Sequence, residues 1–291
     1  MDFRRFLEDN PFVIFDGAMG TQLAKRGLEM GGVSNITNPG QVLEIHREYI
    51  DAGADALITN TLTMNRIYLE THGINLNIRE ANLAGAELAR RAALSSHFVF
   101  GDIGPTGRLL QPYGEYTEEQ LAECFMEQAA ILAEGGVDGF IIETMLDLRE
   151  AVCALKACKS AADLPVIVSL SYSTAANGGR TVMGNTVAEA VQVLERNGAD
   201  AIGSNCGELD PSEMAVLTAV YREASALPII MEPNAGKPRL VNNQAVFDMG
   251  PREFADGIVK CIESGAKIIG GCCGTSPAHI CAVAKRLKKD R

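Results

Sequence analysis

The chain has 291 residues, 47% of them hydrophobic, and a formal net charge of −11. That balance argues against nucleic acid or an anionic membrane as partner, because both need a basic footprint. No apolar run approaches the roughly 20 residues of a membrane span, and the start Met1-Asp2-Phe3-Arg4-Arg5 lacks the apolar core of a signal peptide, so a soluble, reduced, cytoplasmic protein is expected.

Eight short apolar runs recur along the chain, at 12–15, 56–59, 98–100, 139–142, 166–170, 201–203, 228–231 and 267–269. They are rich in Val, Ile and Phe and lack polar alternation, as strands buried on both faces do. Between most of them apolar residues fall at i, i+3 and i+4, which predicts helices such as 122–134, 148–161 and 251–263. Several helices stop at glycine just before the next strand, in Gly53-Ala54-Asp55, Gly135-Gly136-Val137-Asp138, Gly198-Ala199-Asp200 and Gly265-Ala266-Lys267. Strand follows strand about every 36 residues, the size of a βα unit in an eightfold barrel. The expected fold is α/β, a (β/α)8 TIM barrel, with a doubly wound open sheet as the alternative. No Ser/Pro/Gly-rich linker divides the chain, so residues 1–291 are expected to form one domain.

In such a barrel the chemistry gathers where the strands end. Those ends are Asp16-Gly17, Asn60-Thr61, Asp102, Glu143-Thr144, Ser171-Tyr172, Asn205-Cys206, Glu232 to Asn234 and Cys272-Cys273. The adjacent pair Cys272-Cys273 lacks the Cys-x2-4-Cys spacing of a structural zinc knuckle. A vicinal disulfide there would be strained and disfavoured in a reducing cytosol. Flanking glycines let both sulfurs face one centre, and Cys206 offers a third from another strand of the same mouth. Cys124, Cys153, Cys158, Cys261 and Cys281 sit inside predicted helices and read as small buried hydrophobes. Three thiolates select zinc over oxygen-loving cations, and three protein ligands leave a fourth position open. Such a centre is a weak Lewis acid for water but suits holding a substrate thiolate that stays nucleophilic. The implied reaction is attack of a substrate's sulfur on an electrophilic carbon, with Cys206, Cys272 and Cys273 as metal ligands for one Zn2+ per chain.

The stretches Asp16-Gly17-Ala18-Met19-Gly20-Thr21, Thr59-Asn60-Thr61, Gly104-Pro105-Thr106-Gly107, Glu143-Thr144-Met145, Gly203-Ser204-Asn205-Cys206-Gly207 and Gly270-Gly271-Cys272-Cys273-Gly274-Thr275 resemble, in order, those of the homocysteine S-methyltransferase family. The resemblance spans essentially the whole chain. It implies a (β/α)8 barrel, Zn2+ on Cys206, Cys272 and Cys273, and methylation of homocysteine to methionine. Glu143 resembles the family residue that holds the substrate's amino group, with Asp16 assisting. Gly17, Gly20 and Thr21 open a helix whose N–H groups suit a carboxylate. Thr61 is expected to add a hydroxyl contact, and Asn205 and Asn234 to orient substrate or to support the metal ligands.

Members of this family differ in methyl donor. The segments 16–21 and 104–110 look most like the branch that forms the homocysteine-binding module of cobalamin-dependent methionine synthase, which implies a methylcorrinoid carried by a separate protein. A betaine enzyme needs aromatic faces for a quaternary ammonium, and this chain has no Trp and carries Met64-Asn65 beyond the Thr61 segment. The alternatives are betaine, S-methylmethionine or another sulfonium as donor, the reverse demethylation or another thiol acceptor, or a non-catalytic zinc or thiol-binding barrel. The loops 104–116 and 171–184 are long enough to act as lids or docking surfaces.

Overall fold

Strands that are apolar on both faces can be satisfied only inside a sheet covered on both sides, and that is where the eight runs lie. The computed structural model describes residues 2–241 and 244–288. The strands are β1 (Val13–Ile14), β2 (Ala56–Ile58), β3 (Phe98–Ile103), β4 (Gly139–Met145), β5 (Val166–Leu170), β6 (Ala201–Asn205), β7 (Ile229–Glu232) and β8 (Ile268–Ile269). They form one parallel sheet in the order β1-β8-β7-β6-β5-β4-β3-β2. The Phe15–Ala56 bridge joins the two ends, and the Asp55 N–H donates to the Ile14 carbonyl at 2.6 Å. The sheet is thus a (β/α)8 barrel, and the open-sheet alternative is set aside.

A helix follows each strand on the outside: Pro39–Ala52, Ile78–Ala93, Glu118–Glu134, Leu148–Ala161, Val187–Arg196, Pro211–Ala224, Pro251–Glu263 and Pro277–Lys288. Thr117, Thr186 and Asp210 start three of them with capping boxes. Positive φ at Gly53, Gly136, Gly198 and Gly265 stops the preceding helices as expected. The aspartates after three of these glycines have a second use. Asp55, Asp138 and Asp200 accept hydrogen bonds from Ile14, Val99 and Val166 N–H at 2.7 to 2.8 Å. Each ties the start of its own strand to a neighbouring strand.

Inside the barrel, alternate residues point to the axis. Phe15, Ala56, Phe98, Phe100, Ile141, Ile167, Ala201, Ile230 and Ile268 meet there with Phe3 and Leu7 of the N-terminal helix Phe3–Asp9. Phe3 places its ring edge-on to Phe98 and Phe100, with centroids 5.2 and 4.6 Å apart, and so plugs the lower end with aromatic surface. At the upper end the chain adds two antiparallel hairpins, Tyr172–Thr174 with Arg180–Thr181 and Arg239–Val241 with Gln244–Val246. The first occupies the stretch read from sequence as a long loop. Among the described residues, no helix is long and apolar enough to cross a membrane.

Candidate active site and metal centre

The period of two that builds the apolar floor also sets what stands above it. Two residues beyond Phe100, Ile141, Ile230 and Ile268 come Asp102, Glu143, Glu232 and Gly270, and four residues beyond Ala201 comes Asn205. A cavity of about 440 Å3 opens above this layer, lined by Asp102, Glu143, Glu232, Thr144 and the three cysteines Cys206, Cys272 and Cys273. Met19, Met30, Leu62, Thr63 and Tyr68 line it as well.

Cys206 comes at the end of β6, and Cys272 and Cys273 after β8. Their sulfurs all lie within 4.8 Å of one another, and each residue is half-buried. Cys206 turns into the site through a left-handed backbone, φ 55°. The loop after β8 is shaped by what packs on it. Gly274 has φ +81°, and a Cβ on it would lie 2.3 Å from that of Phe247; a Cβ on Gly271 would lie 2.7 Å from the Thr275 methyl. The buried Thr275 hydroxyl donates to the Cys272 carbonyl at 2.7 Å and accepts from Ala18 N–H at 3.0 Å, while Gln22 donates to the Thr275 carbonyl at 2.7 Å. The cysteine loop and the 16–22 segment are thereby one unit.

The sulfurs suit a soft dication. A tetrahedral ion with bonds of about 2.3 Å sets its sulfurs about 3.8 Å apart, and Cys206 and Cys273 stand at 3.8 Å. Hydrogen bonds from Cys206 and Cys272 pull Cys273 down to about 4. At Cys206 the pull of Cys272 is outweighed by Cys273 and burial, which leave it near 12. Cys206 and Cys273, with burial, hold Cys272 well above the usual thiol range. Three thiolates together need a compensating positive ion.

Beneath the sulfurs lies a ring of carboxyls. Burial, followed by the charge of Glu143, raises Asp102 well above the carboxylate range, and burial likewise raises Glu232 and Asp16. Glu143 is pushed to about 7 by burial and then by the Cys206 sulfur, against hydrogen bonds from Asp102, Thr144 and Asn205. Asp102 Oδ1, Asp16 Oδ1 and both Glu232 carboxyl oxygens are buried with no hydrogen-bond partner. Orphaned acceptors are costly unless a donor or cation visits them. The arrangement is built to receive positive charge.

Glu143, Gly17, Gly20 and Thr21 line the cavity. The helix Met19–Lys25 begins there with no side-chain cap on its first amides. Asp16 is buried beside it; its Oδ2 accepts from Ile58 N–H at 3.1 Å, so it also stitches β1 to β2. Thr61 departs from expectation. It does not line the cavity: its hydroxyl bonds the Asp102 carbonyl at 2.8 Å and Thr59 at 2.7 Å, and its methyl faces Gly85. Asn234 departs too as a substrate contact, because its amide donates to the Gly207 carbonyl at 2.9 Å and braces the turn after Cys206. Asp102 and Glu232 were visible as strand ends but carried no assigned role; their signal was the inward period of two. The five remaining cysteines lie in helices as expected, four of them buried.

Residues 13–287 match the family described as homocysteine S-methyltransferase. Methionine synthase of Mycobacterium tuberculosis (strain ATCC 25618 / H37Rv) is 34% identical over 293 aligned residues, covering 94% of this chain and 24% of that protein. Methionine synthase of Mycobacterium leprae (strain TN) is 33% identical, with 95% and 24% covered. The chain therefore spans about a quarter of the length of these curated relatives. The metallated form of the homocysteine methyltransferase MmuM from Escherichia coli has the same fold, with a TM-score of 0.81 at 22% identity over 98% of this chain and 99% of that one. The carboxyl transferase domain of Rhizobium etli pyruvate carboxylase shares the fold more distantly, with a TM-score of 0.58 at 16% identity over 99% of this chain and 49% of that one. The chain belongs to the homocysteine S-methyltransferase family, a family of methyltransferase enzymes.

Proposed function

We propose that residues 1–291 act as a homocysteine-binding barrel module that methylates the homocysteine sulfur to give methionine, with Zn2+ on Cys206, Cys272 and Cys273 and a methylcorrinoid on a separate protein as donor. The observation that carries this reading is the juxtaposition of three mutually close sulfurs with a ring of buried, partnerless carboxyl oxygens in one cavity. An amino acid that ends in a thiol presents an ammonium and a sulfur, the two groups such a cavity suits.

When bound, zinc supplies a fourth coordination position that favours the thiolate form of an incoming thiol at neutral pH. The chain's own residues do the rest. Glu143 faces the substrate's ammonium, with the buried, unpartnered carboxyl oxygens of Asp16, Asp102 and Glu232 below it as further acceptors. The uncapped amides that open the helix Met19–Lys25 receive the carboxylate. The Thr275 hydroxyl keeps that helix start and the Cys272 carbonyl in register. In the transfer an electron pair on sulfur forms the S–CH3 bond. The bond from methyl to its carrier breaks with its pair left on the carrier, and the thiol proton goes to solvent. A site needing three reduced sulfurs fits the cytoplasm, where thiols stay reduced.

Tyr68 is the one aromatic side chain among the described lining residues, which gives a quaternary ammonium no aromatic cage. This favours the corrinoid over betaine. The test supplies zinc-loaded protein and homocysteine with methylcorrinoid protein, betaine, S-methylmethionine or S-adenosylmethionine. Methionine should form with the methylcorrinoid protein. Turnover solely with betaine or a sulfonium overturns the donor assignment, and stoichiometric zinc without turnover on any donor supports a non-catalytic barrel.

A further inference from the structure

Asn205 ends β6 one residue before Cys206 and is fully buried. Its Oδ1 accepts from the Thr144 backbone N–H and from the Ser169 hydroxyl, both at 2.8 Å. A backbone N–H can only donate, so the orientation of the carboxamide is fixed by its partners and Nδ2 turns the other way. There Nδ2 meets the Glu143 carboxylate, the Thr144 hydroxyl at 2.8 Å and Cys272 Sγ at 3.8 Å. Two protons face three acceptors. The carboxylate, the hydroxyl and the sulfur share those two protons, so one carboxamide sits against all three.

The backbone around this group is held in costly shapes. Thr144 is β-branched, yet has φ 60°, at the point where the β4–β5 register shifts beyond Ile142. Cys206, the residue after Asn205, has φ 55°. Such conformations persist where the surroundings over-determine them. Here the shared neighbour is one carboxamide, hydrogen-bonded to Thr144 on both its oxygen and its nitrogen.

We propose that Asn205 is the positioning residue that ties the ammonium-binding carboxylate to a metal-ligating sulfur, so that the amino group and the thiol of the acceptor are read at one fixed separation. The inference rests on the reading above in which Glu143 takes the ammonium. It makes the preference for an amino thiol a property of one buried amide as well as of the two groups that touch the substrate.

Asn205→Asp keeps an acceptor toward Thr144 and Ser169 but sets a second carboxylate oxygen against Glu143 and Cys272. In the full chain loaded with zinc, calorimetric titration should show the homocysteine Kd rising about tenfold or more, while that of 4-mercaptobutanoate, homocysteine without its amino group, moves less than about twofold. Chelator competition should show zinc held about 10- to 100-fold more weakly. In a Glu143→Gln background, Asn205→Asp should change the ratio of the two thiol affinities no further. Asn205→Ser, whose short hydroxyl cannot span both partners, is read by the same titrations and decides the matter if the Asp variant does not fold. An unchanged thiol ratio and unchanged zinc affinity in these variants overturn the proposal. A wild-type protein that binds both thiols equally overturns the role of Glu143 instead, and the zinc competition then decides whether Asn205 positions Cys272.

Discussion

The lower and upper layers of the barrel interior are built on the same strands by the same alternation, yet they differ in almost every physical respect. Below, Phe3, Phe15, Phe98 and Phe100 pack ring against ring with Ile141, Ile230 and Ile268. Two residues higher, carboxyl groups and glycine replace the apolar side chains, and several buried oxygens have no partner. The floor gains from every contact it makes. The layer above it is costly to assemble and is held in place by the floor, so stability and chemistry are stacked rather than mixed.

The comparison can be broken most severely at the top. Cys272→Ser should abolish both stoichiometric zinc and methyl transfer, measured by metal analysis and by methionine formation; retained zinc with full turnover would falsify the three-sulfur centre. At the bottom, Phe100→Ala should lower unfolding free energy by about 3–5 kcal/mol in urea titration. The folded protein should still bind homocysteine within about twofold of wild type, because the change lies a layer away. An equal loss of binding would show that the layers are not separable.

A smaller effect of opposite sign sharpens the contrast. Burial keeps Asp102 protonated to higher pH in the folded protein than in the unfolded chain. Between the ordinary value of about 4 and that raised value, the folded state holds more protons, so stability falls as pH rises across the window. Asp102→Asn removes the slope. The variant should be more stable than wild type at pH 8 by something on the order of 1 kcal/mol, the gap closing toward pH 4, while homocysteine affinity drops. Thermal melts across that range check it, and a variant that is less stable at pH 8 would contradict the assignment.

The eight strand cores and the three cysteines were legible because each is a local pattern: an apolar run without alternation, or a Cys pair between glycines. Glu143 was legible as an acid directly after such a run. The direction of a side chain beyond the strand's end was not. Thr61 and Asn234 sit among cavity residues in sequence, but the backbone has left the strand there, and each turns to brace a neighbouring segment instead. Asp102 and Glu232 looked like single acids until the barrel brought them together beneath one cavity. Thr275 stood in the sequence only as the last residue of the cysteine motif, and the folded loop reveals that it joins two segments 257 positions apart.

The place of β8 has one more consequence. It lies between β1 and β7, so as the chain leaves the ribosome the sheet keeps two open edges until residues 268 and 269 slot in. Cys206 emerges much earlier and has no sulfur partners at that stage. The strand that seals the ring delivers Cys272 and Cys273 in the same event, so the three-sulfur cluster is assembled only when the barrel closes.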